Sequence, residues 1–280
     1  MAVLRTGDRG EPVKTLQRHL NKLGALLLVD GDFGRATCEA IPDARRVLNM
    51  PGGSDVDEGL QRALAAYPDP CPLLSSAGVT FIARAEVGSP TAYRRQYCHP
   101  TWPSAKSGIT IGIGYDLQFC DPARFRNDWA GQLPESCCTQ LLRVIGVVGS
   151  KAQLETVRDV TIPLTAAVGA FVSRSLPHYI DLTRSIYPAF DTLSTAQRTA
   201  LVSLVYNRGA DLSDRSRDLQ DRREMRTIRD LLAAGDLASV PAQFESMTRL
   251  WDPEELPGLI ARRKDEAMLW RAGFAALTLA

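Results

Sequence analysis

The apolar positions of the chain fall first into short helical stripes. Val13, Leu16, Leu20 and Leu23 recur at the three- and four-residue steps of one helix face, and Gly24 follows where a helix end favours glycine. A turn-rich opening, Leu4 to Gly10, precedes this helix. The segment Val29 to Thr37 predicts a tight turn, with Phe33 between Gly31 and Gly34, ahead of a second helix. Pro68, Pro70 and Pro72 then break the pattern. Proline lacks an N–H and fixes φ, so an extended, semi-rigid linker is expected over 69–77.

Beyond the linker the pattern is helical apart from one stretch. Val79 to Glu86 reads as a helix stopped by Val87-Gly-Ser-Pro90. Ser107 to Asp116 alternates instead: Ile109, Ile111 and Ile113 point one way, Thr110, Gly112 and Gly114 the other, which predicts a hairpin with a flat, glycine-floored face. Further helices are expected over 134–145, over 165–172 with Thr165 as cap, and from the Ser194–Gln197 capping box to Asn207, ended by Gly209. Two more are expected over 224–234, ahead of Gly235, and over 258–273. On this last helix Leu259, Ile260, Met268, Leu269 and Trp270 are assigned to one side, Arg262 through Glu266 to the other. The fold class is α+β, mainly α, with a small β-hairpin.

Composition narrows the function classes. With 280 residues there is room for one large domain or two smaller ones, and an apolar fraction of 45% with 23% charged residues is that of an ordinary globular chain. A net charge of +1 gives no reason to expect nucleic acid or an anionic membrane as partner. No apolar run approaches the roughly 20 residues of a membrane-spanning helix. The first residues lack the basic and apolar regions of a secretory signal, so synthesis in the cytoplasm and a different export route are expected. The six cysteines are expected as free thiols, Cys137 and Cys138 being neighbours and no C-x-x-C pair occurring. Cys98-His99 is a poor start for zinc, because chain neighbours seldom converge on one ion.

The best candidate for chemistry is Glu86, at the end of an apolar helix and upstream of the glycine-rich hairpin. An apolar setting disfavours the carboxylate and can keep a proton donor charged with its proton near neutral pH. Cleaving a glycosidic bond also needs a base or nucleophile on the opposite face of the sugar. Asp116 is the candidate, with Thr110 positioning water; Asp116 reads equally as a turn cap, and Thr110 as an ordinary strand residue.

Glu86 followed by Thr110-Ile-Gly-Ile-Gly114 resembles the catalytic Glu and hairpin of the phage-type lysozymes. The segment from Gln197 to Tyr206-Asn207-Arg208-Gly209 is similar to a family segment whose Asn lies in the substrate cleft, although Asn207 could serve only as a helix cap. Trp251 and Gly258-Leu-Ile-Ala-Arg-Arg-Lys-Asp-Glu266 resemble the family's closing helix, where the Arg262–Glu266 spacing suits an i,i+4 ion pair. The resemblance implies a lysozyme-like catalytic domain with Glu86, Asp116 and Thr110 catalytic and Gly112, Gly114, Tyr115, Tyr206 and Asn207 touching substrate. One departure stands out. The family places an Asp between its catalytic Glu and the hairpin, whereas residues 87–109 here carry neither Asp nor Glu and are basic and aromatic, with Tyr93, Arg94, Arg95, Tyr97, His99, Trp102 and Lys106. Tyr93, Tyr97 and Trp102 would stack on sugars or pack the loop; His99 reads as a structural residue. Should neither Asp116 nor Asp121 face Glu86, the acid would act alone, as in lytic transglycosylases.

The N-terminal stretch resembles a peptidoglycan-binding module with an LQ-x-x-L and DG-x-FG signature, carried by Leu16, Gln17, Leu20, Asp30, Gly31, Phe33 and Gly34. That implies wall recognition by Gln17, Asp30 and Phe33. The expected organisation is a binding module over 1–68, a linker over 69–77 and a catalytic domain over 78–280. The resemblance implies a monomeric, modular muramidase without cofactor or metal. It would act on peptidoglycan in the periplasm or cell wall, without stable membrane insertion or a nucleic-acid partner. It would arrive through a holin-type lesion, as a bacteriolytic endolysin does, or through a secretion apparatus, as a delivered toxin. Competing expectations are a non-catalytic wall-binding protein, a zinc amidase or peptidase, and a Cys-His peptidase. Zinc enzymes need several ligating His, and only His99 and His178 lie beyond residue 70. For a Cys-His peptidase only Cys120 offers a nucleophile.

Overall fold

A computed structural model describes residues 3–103, 107–213 and 222–277; Lys106 of the basic stretch lies outside the described residues. Tertiary contacts divide the chain into two units, Met1–Pro72 with Val79–Ser175, and Leu73–Gly78 with Leu176–Ala280.

The first unit opens with α1 (Glu11–Lys22), α2 (Arg35–Val47) and α3 (Glu58–Ala66). Val13, Leu16 and Leu20 bury the predicted stripe of α1, Pro12 sits at its start where a missing N–H is harmless, and Gly24 follows its end at φ +83°. Asp57 caps α3 by accepting the Leu60 N–H at 2.7 Å, and its other oxygen takes the buried Arg45 guanidinium at 2.7 Å. Leu4, Phe33, Ile41, Val56, Leu60 and Leu64 close a separate hydrophobic core around α1. These helices also pack on the remainder of their unit. Arg84 donates to the Leu26 carbonyl at 2.7 Å, Glu39 pairs with Arg94, and a Cβ on Gly24 would run into Val168.

Next come α4 (Ser75–Val87), α5 (Pro90–Gln96), β1 (Thr110–Ile111), β2 (Tyr115–Asp116), α6 (Pro122–Trp129), α7 (Glu135–Leu141), α8 (Lys151–Val157) and α9 (Leu164–Ala170). Helix α4 begins four residues ahead of the expected Val79, so the last residues of the expected extended linker, Ser75 to Ala77, are helical. The helix expected over 134–145 ends at Leu141 and tightens into a single 3-10 turn, Leu142–Val144. Thr165 does not cap α9. Pro163 occupies the capping position, its locked φ of −59° leading into Leu164, and a wider turn, Phe171–Ser175, continues the helix.

The second unit holds α10 (Leu176–Ile186), α11 (Thr195–Arg208), α12 (Arg223–Ala234), α13 (Val240–Ser246) and α14 (Pro257–Leu277). The Ser194–Gln197 capping box starts α11; Ala200, Leu201, Val202, Leu204 and Val205 are all buried, the signature of a helix enclosed on every side. Gly209 and the left-handed Gly235 end α11 and α12. The two-sided reading of α14 fails. Arg263 and Glu266 are fully buried while Met268 is 58% exposed. The charges enter the core because they meet each other. Glu266 takes the Arg263 guanidinium at 2.8 Å and the Ser203 hydroxyl at 2.6 Å, and Arg262, 3.5 Å from Glu266, also donates to the Ser203 carbonyl. The architecture is α+β and mainly helical, with one two-stranded antiparallel hairpin among the described residues. No helix in the described residues is long and apolar enough to cross a membrane. All six cysteines are free thiols.

Candidate active site

Glu86 is the penultimate residue of α4. The helix stops there because Gly88, at φ +75°, turns the chain and returns its N–H to the Arg84 carbonyl at 2.8 Å; Ser89 then caps α5. The Glu86 side chain is half-buried, above Ile82 and Ala83, which have no exposed surface.

The hairpin pairs Thr110 with Asp116 and Ile111 with Tyr115, and Thr101 adds a bridge on the other side of Thr110 through two backbone bonds of 2.8 and 2.9 Å. Gly112-Ile113-Gly114 forms the turn, with φ of +59° and +68° at the two glycines. Ile109, Ile111 and Ile113 are all buried, as the alternation predicts. Gly112 faces inward: a Cβ there would lie 3.1 Å from Trp129 and 3.3 Å from Ala167. The turn therefore needs glycine at this position for packing and for backbone conformation, and Gly114 is the exposed member of the pair.

Asp116 is tied into the ribbon. Its Oδ1 accepts the Gln118 N–H at 2.8 Å and the Gly108 N–H at 3.1 Å, and Oδ2 lies 3.2 Å from the same Gly108 nitrogen. Gly108 is obligatory here, since a Cβ would collide with that carboxylate and with Gln118. Thr110, directly across the ladder, is half-buried, and its hydroxyl makes no hydrogen bond within the described residues. Tyr115 is anchored too. Its hydroxyl donates to Asp128 at 2.8 Å and lies 3.0 Å from the Cys120 thiol, and its ring meets Trp129 edge-on at 5.6 Å. Burial, with those two partners, raises the Tyr115 pKa well above the ordinary tyrosine value. Burial also raises the Cys120 thiol, which works against a nucleophilic thiolate there. Asp128 had no signal in the sequence beyond a polar position on a helix. It is nonetheless the buried carboxylate that fixes β2 to α6, supported by Arg124 at 3.5 Å and Arg174 at 3.9 Å.

The aromatic stretch after α4 divides. Tyr93 is buried, with its hydroxyl on the Ile162 carbonyl at 2.9 Å, and Trp102 packs tightly against Gly149. His99 is hydrogen-bonded through Nδ1 to the Val160 carbonyl at 3.0 Å. In the second unit Tyr206 and Asn207 close α11; the Tyr206 ring packs on Tyr179 at 4.2 Å, with His178 beyond it at 5.5 Å from Tyr179.

At the N-terminal turn, Gln17 is buried and spends its amide internally, donating to Asp30 at 2.8 Å and to the Asp32 carbonyl at 3.1 Å while accepting the Gly31 N–H at 2.9 Å. Phe33 is 2% exposed and belongs to the core. Asp30 is exposed. No group of three or more His, Cys, Asp or Glu among the described residues is arranged to hold a metal.

A family model described as Phage lysozyme matches residues 103–266. No curated protein matches the chain.

Proposed function

Because the chain belongs to the phage lysozyme family, we propose that this cell-wall hydrolase cleaves the β-1,4 bond between N-acetylmuramic acid and N-acetylglucosamine in peptidoglycan, with Glu86 as proton donor. The observation that carries the hydrolase reading is the family match over residues 103–266, a range that holds the hairpin, Asn207 and Glu266. Glu86 lies upstream of it, and its role rests on its half-buried place at the glycine-terminated end of α4. In this reading Glu86 hands its proton to the leaving glycosidic oxygen as that bond breaks. A water on the other face attacks the anomeric carbon and gives its proton to Asp116. Asp116 has capacity for this, since a carboxylate offers about four acceptor positions and the two backbone N–H groups that reach it, Gln118 on Oδ1 and Gly108 shared between both oxygens, leave the rest open. The unengaged Thr110 hydroxyl, opposite Asp116 in the ladder, orients the water. Gly114 contacts the glycan, and Tyr115 holds the ribbon in place through Asp128. Tyr206 and Asn207 are taken as substrate contacts on the resemblance of their own segment alone.

The N-terminal helices serve as a peptidoglycan-binding module that keeps the catalytic residues concentrated on an insoluble substrate. Asp30 faces the wall polymer, while Gln17 and Phe33 act from beneath by shaping the turn. The protein works as a monomer without cofactor, and reaches the wall through a membrane lesion or a secretion apparatus.

A second reading is favoured by one contact set. Because Gly108 and Gln118 already engage the Asp116 carboxylate, Glu86 could act alone. It gives its proton to the leaving glycosidic oxygen, and the resulting carboxylate then takes the proton of the muramic 6-hydroxyl as that oxygen bonds to the anomeric carbon in place of water, leaving an anhydro-sugar end. Clearing of purified sacculi by wild type and its loss in Glu86→Gln tests the enzyme assignment. New reducing ends mark hydrolysis, and their absence alongside clearing marks the single-acid path. Full clearing by Glu86→Gln would overturn both.

A further inference from the structure

A cavity of about 320 Å³ lies within the first unit, in the size range of about 300–1,000 Å³ typical of small-ligand sites. Asp30, Asp32 and Arg35 line it from the glycine turn and the start of α2, and Arg84, Ser89 and Thr91 line it from the end of α4 and the start of α5. Four of these groups have charges, and two are matched locally: Arg35 pairs with Glu39 at 2.7 Å and Asp32 with Arg9 at 3.4 Å. The other two are not.

Arg84 is half-buried and donates one N–H to the Leu26 carbonyl, yet it forms no ion pair among the described residues. Its burial pulls its pKa below the ordinary guanidinium value, the mark of a cation without a counter-charge. Asp30 is the converse. The Asp32 N–H and the Gln17 amide, both neutral, hold its carboxyl below the usual range, and no cation meets it among the described residues. A single cavity thus presents one uncompensated cation, with guanidinium N–H groups to spare, and one uncompensated anion, with the Ser89 and Thr91 hydroxyls on its wall. Such a site recognises a zwitterion, because each ligand charge finds its opposite and neither is left desolvated alone.

We propose that this cavity is a subsite for the peptide arm of peptidoglycan, Arg84 taking a stem-peptide carboxylate and Asp30 the free ammonium of its diamino acid. The proposal rests on the wall-binding reading of the N-terminal helices. It gives them a defined task, because Arg84 stands two residues before Glu86 on the same helix. A peptide arm held there ties the wall polymer to the element that carries the acid.

The test is calorimetric titration of the full chain with a soluble stem tripeptide that ends in a free diamino acid. Wild type binds it, and Asp30→Asn and Arg84→Gln each weaken binding by about tenfold, the factor for one charged hydrogen bond. Edited peptides guard against a folding defect at Arg84, whose contact with Leu26 is structural. C-terminal amidation weakens binding to wild type but makes no further difference in Arg84→Gln, and acetylation of the side amine behaves in the same way toward Asp30→Asn. No binding by wild type, or equal losses from each edit in every variant, overturns the subsite. Co-sedimentation with sacculi is measured in parallel. Wild type that sediments with walls but ignores the tripeptide overturns the subsite and leaves wall binding standing. Tripeptide binding without sedimentation upholds the subsite and overturns the wall-binding role.

Discussion

Asp116 holds two backbone amides and is also the proposed acceptor of a proton from water, and replacing it separates the two tasks. In Asp116→Ala both the Gly108 and the Gln118 N–H lose their acceptor. Orphaning a buried donor costs about 1–3 kcal/mol, and water can reach the half-buried Gln118, so the pair should cost about 2–5 kcal/mol. Asp116→Asn is a different perturbation. Both amides converge on Oδ1, at 3.1 and 2.8 Å, so the single carbonyl oxygen of Asn keeps both bonds. The loss is confined to the Gly108 contact with Oδ2, where an NH₂ would now face an N–H, for a cost of about 1 kcal/mol. Chemistry should respond far more, because Asn cannot accept the proton, and general-base contributions run at about 10²–10⁴-fold. The assay is reducing-end release from purified sacculi, paired with urea unfolding of the same preparations. The expected outcome is a drop of at least about a hundredfold in activity for Asp116→Asn with nearly unchanged stability. Activity within about threefold of wild type would refute the base assignment and leave Glu86 as the sole acid. A large stability loss in the Asn variant would instead refute the assignment of both amides to one oxygen.

Three further outcomes follow from contacts elsewhere. Glu266→Ala leaves the buried Arg262 and Arg263 without their shared carboxylate and should cost about 3–5 kcal/mol in urea unfolding; a loss below about 1 kcal/mol would show that the network contributes little. Burial alone would raise the Glu224 pKa, but its own backbone N–H, Arg249, Ser246 and Arg223 outweigh that and hold it below the ordinary value of 4.5. A depressed native pKa stabilises above the unfolded value, so this contribution is complete above about pH 4.5 and is lost as pH falls through the lower native value. Calorimetric scans should therefore show wild type losing melting temperature in that acid window faster than Glu224→Gln, and parallel slopes would count against the assignment. Gly112→Ala forces a side chain into a backbone at φ +59° and to 3.1 Å from Trp129. It should destabilise by about 1–3 kcal/mol, and a neutral effect on unfolding would show that the turn relaxes freely.

The contrast between α11 and α14 shows what a sequence can and cannot disclose about this chain. The features of α11 that were legible, the Ser194–Gln197 box and the Gly209 stop, are completed by residues within a few positions of one another, so local pattern suffices to find them. The alternation of Ile109, Ile111 and Ile113 is legible for the same reason, and with the helical stripes it gives the mainly helical fold with one hairpin. Periodicity on α14 goes astray because it assumes that a charged residue faces water. Arg262, Arg263 and Glu266 are buried around one another, and Ser203 meets Arg262 and Glu266 from about sixty positions away, a distance no local window spans. The candidate site divides along the same line. The position of Glu86 at a glycine-terminated helix end is local and was readable. The Asp128 anchor of Tyr115, the inward face of Gly112 and the unmatched Arg84 were not, since each is defined by a partner or a missing partner on another element. The ambiguity at Asp116 has a further origin. Capping and proton acceptance use the same carboxylate lone pairs, so the contacts at 2.8–3.2 Å fit either task. Only a substitution that keeps the oxygen and removes the charge can tell them apart.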